Sequence, residues 1–186
     1  MRQGQSELSE MINNKAYKEK YMYGICYLKN IIEVYGRECV QAQGYCPLER
    51  IDFRIKTAGS IADKLGKKGY GISCENAIHC LSDLAGVRVV CFSEEDVYLL
   101  ADYLCGRKDI VIVRRKDYIR TPKENGYRSL HLITEMEYPA KKQDRTMVSE
   151  DRGEEEKVRV ELQLRTGAMH RWAENDHRKF YKKLTQ

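Results

Sequence analysis

Val158-Arg159-Val160-Glu161-Leu162-Gln163-Leu164-Arg165 alternates apolar and polar residues without interruption. That is the two-residue period of a β-strand with one face on a core. Val160, Leu162 and Leu164 point to one side; Glu161, Gln163 and Arg165 point to the other. Upstream, Tyr127 to Met136 reads as another strand, entered through a turn containing Pro122 and Gly126. In it Leu130 and Leu132 share one face, while Tyr127, Ser129 and His131 share the opposite one.

Working outward, Ile110 to Val113 is a strand and Asp96 to Gly106 a helix. Val87 to Phe92 is apolar and β-branched, a buried strand. Ser60 to Lys68 is a short helix with Ser60 as its N-cap, and Ser73 to Leu81 supplies a further turn or two. Ile51, Phe53 and Ile55 alternate with Asp52, Arg54 and Lys56 as a first strand. Residues 6 to 43 carry a helical stripe (Leu8, Ile12, Tyr23, Tyr27, Ile31, Val34), as one helix or two, ended by Pro47. Lys141 to Lys157 is a dense run of mixed charge that reads as a mobile hairpin tip or loop, and Ala168 to Lys183 closes the chain as a helix. The order is helix, strand, helices, strand, helix, three strands, helix. It predicts an α/β (α+β) domain on a mixed β-sheet of about five strands flanked by helices. Residues 1–46 form an N-terminal helical region and residues 47–186 a single globular unit.

The composition narrows the functional classes. With 186 residues, 42% apolar and 33% charged, the chain can bury a proper core. No apolar run is long enough to span a bilayer, and the polar Met1 to Glu10 is no secretory signal. The net charge of +5 suits phosphorylated ligands and says little for nucleic acid. Seven cysteines, at positions 26, 39, 46, 74, 80, 91 and 105, form no C-x-x-C pair and fit neither a zinc site nor a disulfide framework. They point to a reducing compartment, the cytoplasm.

Several strands carry polar faces with cations, a carboxylate, an aromatic and a histidine in line. For any single strand this is an ordinary solvated face; together they describe a concave site for a phosphorylated ligand. Lys56, Lys64 and Lys67 can hold a triphosphate, with backbone donors from the helix start near Ser60. Arg54 and Arg88 can stack on a purine as well as pair with phosphate. Asp83, just before the buried strand, and Glu161 supply the one or two carboxylates that magnesium on a triphosphate needs. Each also has a plain structural reading: a solvated helix edge for the lysines, a turn residue for Asp83, an exposed strand residue for Glu161.

At these same residues the chain resembles the synthetase domain of the RelA/SpoT alarmone enzymes. Four stretches carry the resemblance, in family order from about Ile51 to Lys183. They are Arg54-Ile55-Lys56 with Ser60-Ile61 and Lys64-Leu65; Asp83-Leu84-Ala85-Gly86-Val87-Arg88-Val89-Val90; and Asp117-Tyr118-Ile119 with Pro122-Lys123-Glu124-Asn125-Gly126-Tyr127-Arg128-Ser129-Leu130-His131. The last is Val160-Glu161-Leu162-Gln163-Leu164-Arg165-Thr166, continuing to Met169, Trp172-Ala173-Glu174, His177 and Tyr181-Lys182. In length the chain is most similar to the small, single-domain synthetases. None of its four histidines is followed by aspartate, unlike the metal motif of the long relatives' hydrolase domain.

The resemblance implies a nucleotidyltransferase-like fold over 47–186 and a GTP pyrophosphokinase of the stringent response. Such an enzyme transfers the β,γ-pyrophosphate of ATP to the 3′-hydroxyl of GDP or GTP, with Mg2+ as cofactor, giving AMP and ppGpp or pppGpp. By position, Arg54 and Arg88 would sandwich adenine, and Lys56, Ser60, Lys64 and Lys67 would hold the ATP phosphates. Asp83 and Glu161 would bind the metal, and Glu161 would activate the hydroxyl. Tyr127 would stack on guanine, with Lys116, Lys123, Asn125, His131 and Gln163 around the acceptor. Trp172 reads as a packing residue, His170 and His177 as surface or structural, and Tyr118 as core. Some relatives form product-activated homo-tetramers; where they carry phenylalanine and threonine, this chain has Arg50 and Asp52. One alternative is a toxic synthetase that pyrophosphorylates tRNA 3′ ends or adenosine nucleotides, using Arg107, Lys108, Arg114, Arg115 and Lys116 as a basic patch. Another is a non-catalytic nucleotide- or RNA-binding module, which has no need of both Asp83 and Glu161.

Overall fold

A computed structural model describes residues 2–139 and 156–184. The charge-rich run at 141–157 lies almost wholly outside the described residues. The elements follow the expected order: α1 (Arg2–Asn13), α2 (Lys15–Gln43), β1 (Leu48–Ile55), α3 (Ala58–Lys67), α4 (Cys74–Cys80), β2 (Ala85–Cys91), α5 (Glu94–Cys105), β3 (Val111–Asp117), β4 (Leu130–Glu137), β5 (Lys157–Thr166) and α6 (Gly167–Leu184). The strands form one mixed sheet in the order β1-β2-β5-β4-β3. Only the β2–β5 pair is parallel.

The alternation in β5 sets the two faces. Val158, Val160, Leu162 and Leu164 are fully buried, beside Val87 and Val89 of β2 and Leu130 and Leu132 of β4. α2 covers this face at close range, because Gly24 presents no side chain: a Cβ there would lie 2.9 Å from Val160 Cγ2 and 3.1 Å from Val158 Cγ1. α5 packs beside α2, with Tyr35 and Tyr103 ring centroids 4.8 Å apart. Its start is fixed by a capping box in which Ser93 and Asp96 satisfy each other's backbone N–H groups.

Several boundaries differ from the sequence reading for local reasons. The N-terminal helix starts at Arg2 and breaks at Asn14, whose Oδ1 accepts from the N–H groups of Ala16 and Tyr17 and caps α2. The N-cap of α3 is Thr57, and Ser60 lies inside the first turn, its N–H donating to Thr57 Oγ1. β4 begins at Leu130, not Tyr127. Phe53 is 51% exposed because β1 is an edge strand.

Candidate active site

The opposite face of the sheet carries most of the candidate residues, and the register arranges them. Across the strands, Asp52 pairs with Arg88, Arg88 with Gln163, Gln163 with His131, and His131 with Lys116. One step along, Arg54, Gly86, Glu161 and Ile133 make the neighbouring row. Adjacent paired residues share a face, so five strands deliver one continuous polar surface.

Asp83 sits in the turn between α4 and β2, the point from which β2 enters the sheet. Its Oδ2 accepts from both Lys56 Nζ and Lys64 Nζ, the latter at 2.5 Å. Its Oδ1 is buried with no partner. Burial works to raise the Asp83 pKa, but hydrogen bonds and charge from the two lysines win and hold it below the usual carboxylate range. Burial also lowers the pKa of Lys56, partly offset by Asp83. Ser60 is exposed in the first turn of α3, while Lys67 stays on the solvent side of its last turn and joins no cluster.

Glu161 belongs to a hydrogen-bonded chain. Its Oε1 lies 3.1 Å from His131 Nδ1, its Oε2 accepts from Gln163 Nε2 at 2.8 Å, and His131 Nε2 lies 2.8 Å from the Tyr127 phenol oxygen. Burial would raise the Glu161 pKa; His131 and Gln163 reverse that and keep it below the ordinary value. Glu161 and Asp83 line one small cleft with Arg54, Gly86, Arg88 and Gln163. Its free volume of about 50 Å³ is well short of the ~300 Å³ or more of a ligand pocket. Gly86 pairs with Glu161 across the parallel strands; a Cβ there would lie 3.5 Å from the Glu161 backbone oxygen, an ordinary contact. A larger hollow of about 830 Å³ adjoins at Ser82, but its charges already pair, Lys20 with Glu156 and both Lys157 and Arg159 with Glu135.

The second platform is the turn before β4. Gly126 N donates to Lys123 O at 2.7 Å, and Gly126 has φ +82°, the left-handed region that favours glycine. Asn125 Oδ1 accepts from Tyr127 N at 3.2 Å. Lys123 Nζ stands 4.7 Å from the Tyr118 ring centroid and 4.9 Å from that of Tyr127. Tyr118, read from sequence as core, is half-buried and packs edge-on to Tyr127 and His131, so it belongs to this platform. Lys116 is exposed beside His131.

α6 touches both platforms. Arg88 Nη1 lies 3.4 Å from Glu174 Oε1, Asn125 Nδ2 donates to Asp176 Oδ2 at 3.2 Å, and Trp172 packs under Gly126. Beneath it Arg165 is 1% exposed, with Nε and Nη2 unpartnered, and burial lowers its pKa to about 10. Alternation alone placed Arg165 on a polar face; the helix that follows immediately roofs it. In the basic patch, Arg107 is tied to Asp109 at 2.7 Å and Arg115 lies 3.7 Å from Asp102.

The donor set suits a hard divalent cation. Two carboxylates share the cleft, one with an orphaned buried oxygen, and no group of three or more His, Cys, Asp or Glu residues is placed to hold a metal among the described residues. Magnesium bound by two protein oxygens, with phosphate and water completing the shell, matches this.

Comparison with known proteins converges on one group. The family model for the region found in RelA/SpoT proteins matches residues 53–186. GTP pyrophosphokinase YwaC of Bacillus subtilis is 37% identical over 162 residues, 87% of this chain and 72% of that protein. The crystal structure of small alarmone synthetase 1 from Bacillus subtilis bound to its product pppGpp superposes with a TM-score of 0.73 at 29% identity, over 91% of this chain and 81% of that one. The same enzyme bound to AMPCPP gives a TM-score of 0.68 at 25% identity, over 93% and 82% of the two chains.

Proposed function

The chain belongs to the RelA/SpoT family, and from that premise we propose that it is a GTP pyrophosphokinase that makes ppGpp and pppGpp. It transfers the β,γ-pyrophosphate of ATP to the ribose 3′-hydroxyl of GDP or GTP. The observation that carries this reading is the shared cleft of Asp83 and Glu161, set between the Arg54–Arg88 pair and the Tyr127 turn. The pppGpp and AMPCPP held by the superposed enzyme support guanine and adenine nucleotides as the two ligands.

Arg54 and Arg88 flank the adenine, and Lys56, Ser60 and Lys64 take the triphosphate. Tyr127, with Tyr118 and Lys123, stacks the guanine; Asn125 shapes that turn, and Lys116, His131 and Gln163 border the acceptor. A ribose hydroxyl is a poor nucleophile at neutral pH, so Glu161, held ionised by its hydrogen bonds, accepts its proton. The freed oxygen attacks the β-phosphorus. The bond from that phosphorus to the oxygen bridging the α-phosphate breaks, and AMP leaves. Magnesium, held by Asp83 and Glu161, would supply charge neutralisation on the transferred phosphates. Aligning two nucleotides on one sheet face turns a bimolecular step into a local one.

No helix among the described residues is long and apolar enough to cross a membrane, and all seven cysteines are free, which supports a cytoplasmic setting. A homo-tetramer, the assembly the family resemblance implies, is the one to look for in solution.

The test incubates the protein with labelled ATP, magnesium and GDP or GTP and separates the nucleotides, beside Glu161→Gln. Labelled guanosine tetra- or pentaphosphate with matching AMP, reduced about 100- to 10,000-fold in the variant, is the expected result. Label on added tRNA instead would move the case to the tRNA-modifying enzyme, and binding without transfer would leave a nucleotide-binding module.

A further inference from the structure

The arrangement at Asp83 bears on how the metal enters. One oxygen of this carboxylate is held by two ammonium groups, Lys56 and Lys64, and the other is buried without a partner. Lys56 is almost enclosed, its side chain 10% exposed, while Lys64 reaches in from α3 at 37%. Both lysines come from the segment proposed above to hold the triphosphate, one just past the end of β1 and one a turn beyond Ser60. A bare divalent cation approaching Asp83 meets two fixed positive charges within contact distance, where repulsion is least screened.

We propose that Lys56 and Lys64 seal Asp83 against bare metal, and that a polyphosphate opens the seal by drawing the two ammonium groups onto its own oxygens. The inference rests on the reading of Asp83 as a metal-binding carboxylate and adds an order to it: the cation is admitted as a metal–triphosphate unit. Lys64 is then a positioning residue for the metal site as well as a phosphate contact, and it carries the switch because it is the more exposed of the pair and is mounted on a different element from Lys56. The same ammonium groups that hold Asp83 in the free protein become phosphate contacts in the complex. Asp83 lines the cleft with Gly86 and Glu161, and its Oδ1, which has no partner, is the oxygen an incoming ion would take up.

The probe is Mn2+ alone, with no nucleotide, titrated by electron paramagnetic resonance into the wild-type protein and into Lys64→Gln, Lys67→Gln and Lys64→Gln/Asp83→Asn. Circular dichroism melts verify that each variant is folded. Lys67→Gln removes the same charge one turn away, where it touches nothing in the cleft. The expected result is an affinity for bare Mn2+ about tenfold higher in Lys64→Gln than in wild type, little changed in Lys67→Gln, and returned to the wild-type level or below in the double variant. Unchanged affinity in Lys64→Gln, an equal gain in Lys67→Gln, or a gain that survives Asp83→Asn would each overturn it. Because no transfer is measured, a failure here is separable from failure to make ppGpp.

Discussion

His131 Nδ1 lies 3.1 Å from Glu161 Oε1, and with Gln163 this hydrogen bond favours the ionised form of a half-buried carboxylate. Burial alone would push the Glu161 pKa up; His131 and Gln163 hold it below the ordinary value of 4.5. Deleting the histidine removes the lowering contribution and leaves the raising one. His131→Ala therefore moves the acid limb of the pH profile of kcat/KM to higher pH and lowers kcat at neutral pH by about tenfold or more. A profile whose acid limb stays in place would show that His131 does not tune the base.

Tyr127 has two separable jobs. Under the proposed function its ring stacks the acceptor base, and its hydroxyl sits 2.8 Å from His131 Nε2. Tyr127→Phe keeps the ring, so KM for GDP changes by less than about threefold while kcat falls modestly. Tyr127→Ala loses base stacking, worth about 1–3 kcal/mol, and raises that KM roughly 5- to 150-fold. Equal KM values in the two variants would refute the division.

The strand alternation made the sheet legible. Val158 to Arg165 gave both the buried row and the row holding Glu161 and Gln163, and the order of elements followed. Asp83, Lys56 and Lys64 were nameable from their motifs, but not the fact that two lysines converge on one oxygen, which depends on α3 folding back over the end of β1. Register was equally hidden: nothing local in Lys116 says it will stand beside His131. Tyr118 read as core because an isolated aromatic gives no sign of which neighbours it will meet. Arg165 was legible only as a member of the polar face, because alternation reports a face and not the α6 roof above it. The position of the break at Asn14 and the cap at Thr57 were not legible, because a side chain competing for backbone N–H groups leaves no trace in hydrophobic periodicity.

The Arg107 guanidinium beside Asp109, with help from Tyr27, holds that carboxyl at about 2, against an ordinary 3.8. A carboxylate with a lowered folded-state pKa stabilises the protein above its unfolded value and loses that contribution as pH falls through the folded one. The Asp109 contribution is thus intact above pH 3.8 and fades between 3.8 and about 2. Asp109→Asn should lower the melting temperature at pH 6 and narrow the gap between variant and wild type at pH 2.5, as read by thermal melts. A gap that widens on acidification would reverse the sign of the argument.

Gly24 is where helix α2 comes closest to the sheet. A residue in mid-helix is ordinarily improved by replacing glycine, by about 1 kcal/mol for alanine. Here the gain competes with a Cβ placed 2.9 Å from Val160 Cγ2 and 3.1 Å from Val158 Cγ1, both on a fully buried strand face. Interiors are close-packed, so neither valine can retreat without disturbing the strand that carries Glu161 one position on. Overpacking of this kind costs about 1–3 kcal/mol, and the branched Val adds a second atom to the clash. Gly24→Val should therefore lower the urea midpoint of unfolding clearly, whereas Gly24→Ala should fall between it and wild type because helix propensity offsets part of the strain. Because the displaced strand is β5, the Val variant should also lose turnover before it loses fold, seen as reduced alarmone synthesis at temperatures where circular dichroism still reports a native signal. A Gly24→Val protein with wild-type stability and activity would mean that α2 can move off the sheet without cost, and that this close approach does not fix the position of Glu161.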